Sequence, residues 1–203
     1  FPWQSDDRLE DNVTWSMVQN PKYKSAECII HQLCDIVSKN GNLLLNVGPY
    51  ADGSFHPDAV KTLEKIGDWL ALNGEAIYET RPYLIAAEGP TVVEDADYDT
   101  QRIAEQLDKG AAADVRSNVL TGRDYRFTTR GETLYVIAMG WPEEGWFRIR
   151  TLRENGPCAK KVGRVTLIGQ KEPLTFIRDG EALHVKAPER KPCEYAYVLK
   201  IEE

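Results

Sequence analysis

Four carboxylates, Asp6, Asp7, Glu10 and Asp11, stand between two indoles, Trp3 and Trp15, at the start of the chain. That mixture suits a sugar. Indole faces stack on pyranose rings, and a pair of carboxyl groups flanking a glycosidic bond does acid–base work. The plainer reading is a solvated acidic loop, because residues 1–23 show little apolar periodicity. A second chemical signal is Asn46, a polar amide at the end of the apolar run Leu43-Leu44-Leu45. Buried there, its amide needs hydrogen-bond partners to offset the loss of water.

Both signals must be held by regular elements. The run from Gly41 to Gly48-Pro49 reads as a strand covered on both faces. Before it, Ser25 caps a helix with Glu27 in its first turn, and Ile29, Ile30, Leu33, Ile36 and Val37 form an apolar stripe. Asn40-Gly41 ends that helix, with Gly41 expected in the left-handed conformation of a C-terminal cap. His31 lies off the stripe, at the surface or a boundary. After the strand, Pro57-Asp58 opens a second helix in which Val60, Leu63, Ile66, Gly67 and Leu70 recur at helical spacing, closed by Asn73-Gly74. Helix, buried strand, loop and helix make half of a repeating β/α unit. One parallel strand leaves both edges unpaired, so residues 1–83 are expected to belong to a larger α/β sheet or barrel. In such architectures ligands sit beyond the carboxyl ends of the strands, where Asn46 points.

From residue 84 onward the pattern changes. A polar insertion at about 92–118 contains one candidate short helix at 101–109. Strand-like runs follow at 125–128, 133–140, 146–150, 162–168, 174–177, 182–186 and 196–201, with hairpin turns at Arg130-Gly131-Glu132 and Arg178-Asp179-Gly180. That spacing predicts an antiparallel β-sandwich over 84–203. Trp141-Pro142 reads as packing or turn chemistry.

Composition narrows the function classes. A formal net charge of −7 over 203 residues, with no basic stripe, argues against nucleic-acid binding. No stretch approaches the roughly 20 apolar residues that span a bilayer. The first residue is Phe1, without an initiator Met, so a processed or truncated piece of something longer is expected. Cys28, Cys34, Cys158 and Cys193 show no metal-ligand spacing with the histidines and read as buried free thiols, with Cys158–Cys193 a weaker disulfide reading. No metal or cofactor is expected. Asn12-Val13-Thr14 matches a glycosylation sequon, a triplet common by chance.

The stretch Ser38-Lys39-Asn40-Gly41-Asn42-Leu43-Leu44-Leu45-Asn46-Val47-Gly48-Pro49, followed by Ala51-Asp52-Gly53, resembles the signature of glycoside hydrolase family 29, the α-L-fucosidases. So does Trp69-Leu70-Ala71-Leu72-Asn73-Gly74-Glu75-Ala76-Ile77-Tyr78 with Arg81-Pro82. Phe1-Pro2-Trp3-Gln4-Ser5-Asp6 and Tyr23-Lys24-Ser25 are similar to the segment before the family's last barrel strand. Tyr125-Arg126-Phe127-Thr128, Gly140-Trp141-Pro142 and Glu194-Tyr195-Ala196-Tyr197 resemble its accessory sandwich. The resemblance covers nearly the whole chain outside about 92–118.

It implies the C-terminal portion of a (β/α)8 barrel, holding only the last barrel strand and its flanking helices, followed by the antiparallel β-sandwich. It also implies retaining hydrolysis of terminal α-L-fucosyl linkages on fucosylated glycans, through a covalent intermediate on an Asp outside these residues. A companion polypeptide carrying the rest of the barrel is then expected, and this chain alone should bind sugar poorly and hydrolyse nothing. The general acid in the family comes from loops matching residues 1–20. Two positions where relatives carry Glu are Gln4 and Gln19 here, which leaves Asp6 and Glu10 as candidates. Trp3 and Trp15 are the expected pocket walls, Leu43 or Leu45 the barrel floor, and Asn46 a holder of neighbouring loops. The two glutamines also keep open a non-catalytic carbohydrate-binding protein or a purely structural sandwich.

Overall fold

Residues 1–23 contain a strand that apolar periodicity does not reveal. The computed structural model describes residues 1–11, 15–91, 120–156, 158 and 161–203, and in it β1 spans Trp3–Arg8. The inward positions of β1 are polar, which hides the alternation. Asp7 is 2% exposed, and the Lys24 ammonium meets both its oxygens at 2.7 Å, which offsets the cost of burying the charge. β1 runs parallel to β2 (Gly41–Asn46) in the register Trp3↔Gly41 to Arg8↔Asn46. The expectation of one barrel strand is therefore corrected to two, joined through α1 (Ala26–Ser38) as a complete β-α-β unit. The sequon at 12–14, the short helix at 101–109 and almost all of the insertion at 92–118 lie outside the described residues.

The Ser25 hydroxyl caps α1 by accepting from the Cys28 amide. At its other end the left-handed residue is Asn40 (φ 66°) rather than Gly41, because asparagine tolerates that conformation. Gly41 serves another purpose: a Cβ there would stand 2.7 Å from the Trp3 ring and from Ile36 Cγ2. α2 spans Pro57–Asn73, with His56 as its cap, and buries Ala59, Ile66, Trp69 and Asn73. Val60 and Gly67, placed on its inner stripe by spacing alone, face solvent instead.

The remaining strands form two antiparallel sheets. β3 (Arg81–Glu88), which the pattern missed, edges a five-stranded sheet in the order β3-β4-β5-β10-β7, with β4 at Tyr125–Arg130, β5 at Thr133–Ala138, β7 at Arg164–Leu167 and β10 at Tyr197–Glu202. A three-stranded sheet, β6-β9-β8, packs on it, from Trp146–Ile149, Leu183–Lys186 and Phe176–Arg178. Both expected hairpin turns connect paired strands, β4 to β5 and β8 to β9. β3 crosses the expected boundary between residues 83 and 84.

The larger sheet is covered on both faces. Leu134, Val136 and Ala138 of β5 meet the smaller sheet, whereas Tyr135 and Ile137 join the core with α1 and α2. Polar ties cross the second interface. Trp69 Nε1 donates to the Ala196 carbonyl (2.9 Å), Thr128 Oγ1 to the Ala76 carbonyl (2.7 Å), and Arg126 Nε to Asp35 (2.6 Å), while His31 Nε2 meets the Tyr195 carbonyl (3.1 Å). His31 is thus a boundary residue, and burial lowers its imidazole pKa. All four cysteines are free, so Cys158 and Cys193 are unlinked. Trp141 packs edge-on against Phe147 and Tyr197.

Burial works to raise the Asp35 carboxyl, but the Arg126 guanidinium and the Lys39 ammonium beside it outweigh burial and hold it below the usual range. A depressed carboxylate contributes stability above its unfolded pKa, about 3.9, and loses it as pH falls through the lower folded value. The melting temperature of the unaltered chain should therefore fall more steeply than that of Asp35→Asn between about pH 5 and about pH 3. Parallel slopes in thermal melts would remove the ion pair from the account.

Candidate active site

Alternation along the two parallel strands sorts the candidate residues. Gln4, Asp6 and Arg8 lie in register with Asn42, Leu44 and Asn46 on one face. Leu9, Leu43 and Leu45 belong to the core against α1 and α2, on the other. The barrel floor expected of Leu43 or Leu45 is therefore corrected by one residue: Leu44, 55% exposed, takes the open face. A slip of one position exchanges faces because the side-chain period of a strand is two.

The carboxyl ends of β1 and β2 converge. The Leu9 amide donates to the Asn46 carbonyl at 2.9 Å, and Asn46 Nδ2 donates to the Trp15 carbonyl at 3.1 Å. The Arg8 guanidinium lies 5.5 Å from the centre of the Trp15 ring, within cation–π range. Arg8 Nε is buried with no hydrogen-bond partner among the described residues, whereas the Trp15 side is half exposed. Arg8 was absent from the candidates read from sequence. Its signal was the Gln4, Asp6, Arg8 alternation, visible only once 3–8 is known to be a strand.

Glu10 lies just past β1 and is 1% exposed. Its Oε1 accepts from the Gly48 amide at 3.0 Å, tying the loop after β1 to the loop after β2. Its Oε2 is buried without a partner among the described residues, as is the hydroxyl of Tyr23, whose backbone bridges to Glu10. Burial, reinforced by the negative charge of Glu10, pushes the Tyr23 phenol up. Asp6, by contrast, is exposed.

Trp3 sits at the amino end of β1, roughly 17 Å along the strand from its carboxyl end. Its indole donates to the Lys39 carbonyl at 2.9 Å and rests over Gly41. The acidic cluster is also divided, since Asp6 and Asp7 face opposite ways and Asp7 belongs to Lys24. What converges is Arg8, Glu10, Trp15 and Asn46, with Asp6 one step down the open face. A cation, an open aromatic ring, an amide and a carboxylate are the groups that bind and act on a polyhydroxylated ring. No group of three or more His, Cys, Asp or Glu among the described residues is arranged to hold a metal ion.

Gly48 is the tightest point of the site. A Cβ there would stand 2.8 Å from the Met17 amide nitrogen and 3.0 Å from Glu10 Oε1. Gly48→Ala should cost roughly 1–3 kcal/mol in denaturant titration, because backbone has to move. Gly67→Ala, in an open helical position, should instead add about 1 kcal/mol. Equal effects of the two substitutions would refute this close packing.

Comparison with known proteins bears on the family and the fold. A family model described as "Alpha-L-fucosidase" matches residues 1–75, and one described as "Alpha-L-fucosidase C-terminal domain" matches 118–202. An α-L-fucosidase of Branchiostoma floridae is 25% identical over 185 residues, covering 89% of this chain and 33% of the relative. The human tissue α-L-fucosidase is 27% identical over 178 residues, covering 85% of this chain and 30% of the relative. The chain thus spans about a third of the length of these curated relatives. Among solved structures, the Thermotoga maritima α-fucosidase in complex with fucose superposes with a TM-score of 0.73 at 24% identity, covering all of this chain and 40% of that one. Isoenzyme 1 from Paenibacillus thiaminolyticus gives 0.70 at 21%, again over all of this chain and 40% of the other. With both models matched in chain order and the fold shared from end to end, this chain belongs to the α-L-fucosidase family, as part of a barrel together with the C-terminal β-sandwich.

Proposed function

We propose that this chain supplies two adjoining staves of the barrel of a retaining α-L-fucosidase that removes terminal α-L-fucosyl residues from fucosylated glycans. The observation that carries the reading is the open face of β1 and β2. Asp6, Arg8, Asn42, Leu44 and Asn46 turn away from the helices there, toward the side a closed barrel would enclose. A companion segment carrying the remaining strands completes that enclosure and brings the nucleophilic Asp.

In this reading the nucleophile attacks C1 of fucose while a carboxylic acid protonates the departing oxygen. The same group, now ionised, then draws a proton from the water that releases fucose. Asp6 suits this second role better than Glu10. A general acid has to come within hydrogen-bond reach of the leaving oxygen, and Asp6 is open whereas Glu10 is sealed, with one oxygen committed to Gly48. Glu10 then acts as the clamp that sets the distance between the two loops. Arg8 places a positive charge at the strand end beside Trp15, where it favours the ionised form of the nucleophilic carboxylate that the companion segment brings. The Trp15 indole offers a surface for the sugar ring and its C6 methyl, and Asn46 holds Trp15 in place.

Co-expression with a polypeptide supplying the remaining barrel strands, assayed on an aryl α-L-fucoside, tests the assignment. Activity should appear only in the complemented protein. Asp6→Asn should lower kcat at least about 100-fold on substrates with poor leaving groups, with azide restoring turnover on activated ones. Glu10→Gln keeps an oxygen for the Gly48 amide and should lose far less. Full activity in Asp6→Asn would overturn the assignment of the acid, and an inactive complemented assembly would overturn the reading itself.

A further inference from the structure

The dipeptide Asn-Gly occurs three times, at 40–41, 73–74 and 155–156. In each, the asparagine side-chain carbonyl carbon is one ring closure away from the next backbone nitrogen. Glycine opposes that closure least, because it has no Cβ and turns freely. The fold treats the three pairs differently.

Asn73 is fully buried at the end of α2, where its Nδ2 donates to the Trp69 carbonyl at 3.1 Å. The nitrogen that would attack it is also engaged, since the Gly74 amide donates to the Leu70 carbonyl. Asn40 is half-buried, and its carbonyl accepts from the Trp3 amide at 3.4 Å. Gly41 is buried as the first residue of β2 and packs so closely on the Trp3 ring that even a Cβ would stand 2.7 Å from it. Turning that peptide would break the pairing of β1 with β2 from its end.

Asn155 is exposed, in the turn that follows the 3₁₀ segment Arg150–Leu152. Its backbone is left-handed (φ 55°). The Gly156 amide donates to the Arg153 carbonyl at 3.3 Å, beyond the usual range of such bonds. A Cβ at 156 would first meet Arg153 Cγ, 2.9 Å away, which belongs to a movable side chain. Exposed turns held in this way open at little cost in free energy.

We propose that Asn155–Gly156 is a site of spontaneous succinimide formation, at which the chain converts to aspartate and isoaspartate, while the same dipeptide at 40–41 and 73–74 stays intact. The Gly156 nitrogen gives its proton to solvent and bonds to Asn155 Cγ. The Cγ–Nδ2 bond breaks and ammonia leaves. Water then opens the five-membered imide at either carbonyl, giving aspartate or, with the backbone rerouted through the side chain, isoaspartate. Each event adds one negative charge to a chain whose formal charge is −7. The inference does not depend on the fucosidase reading.

The folded chain, incubated in mildly alkaline buffer at physiological temperature, should yield a later-eluting form on anion exchange. Peptide mapping should place the Asn-to-Asp mass change at Asn155, and isoaspartyl methyltransferase should label the same peptide. Conversion should quicken as pH rises, because the attacking nitrogen must lose its proton. Gly156→Ala should slow it at least ~10-fold, since a Cβ hinders ring closure. In urea all three pairs should convert at comparable rates, because only the fold separates them. No conversion at Asn155 in the folded chain, equal conversion at Asn40 or Asn73, or the same selectivity in urea would overturn the proposal.

Discussion

The structure depends on burying one sheet from two sides. Antiparallel sheets commonly leave a face to water, but here the five-stranded sheet is sandwiched between the smaller sheet and the two helices. The unbroken apolar run Leu134-Tyr135-Val136-Ile137-Ala138 in β5 is the consequence, since no position along it meets solvent. The same helices carry the parallel strands on their far side, through Leu9, Leu43 and Leu45. The order is therefore parallel strands, helices, larger sheet, smaller sheet. Anything that loosens the helices from the larger sheet disturbs the strands that present the site.

Polar ties give this stacking its register. Apolar contact alone allows sliding, whereas a buried indole donating to a particular carbonyl, as Trp69 does to Ala196, allows little. The Arg126–Asp35 pair and the Thr128–Ala76 bond act at other points of the same interface. Asp124 performs a similar service at the edge of the sandwich. Fully buried, its carboxylate accepts amide and hydroxyl bonds from both Thr91 and Thr121 and so joins the two flanks of the polar insertion.

The site inherits this rigidity. Its floor consists of the ends of two hydrogen-bonded strands, and its loops are tied together by Glu10 to Gly48 and by Asn46 to Trp15. Glu10 shows how the same residue type serves opposite ends according to burial. In the open, a carboxylate two residues past a strand would be a candidate proton donor; enclosed and bonded to an amide, it positions backbone. Asp7 makes a related point, because it is more deeply buried than most of the apolar residues of α1, at the expense of tying up Lys24.

Much of the architecture was legible from residue order alone. Periodicity located α1 and α2, the run 43–45 located β2, and the short alternating segments with their turns located the sandwich, because each depends on local spacing and local turn chemistry. Recurrent motifs placed the chain in its family for the same reason: they are contiguous. What tertiary structure decided was everything that pairs residues distant in sequence. β1 was invisible because its inward face holds Ser5 and Asp7, and the charge of Lys24, 17 residues away, helps make that burial tolerable. Arg8, the open placing of Leu44, the remoteness of Trp3 and the closure of Glu10 all follow from which strand lies beside which and on what face. Spacing along a chain determines what an element is, whereas the partner across the sheet determines what its side chains meet.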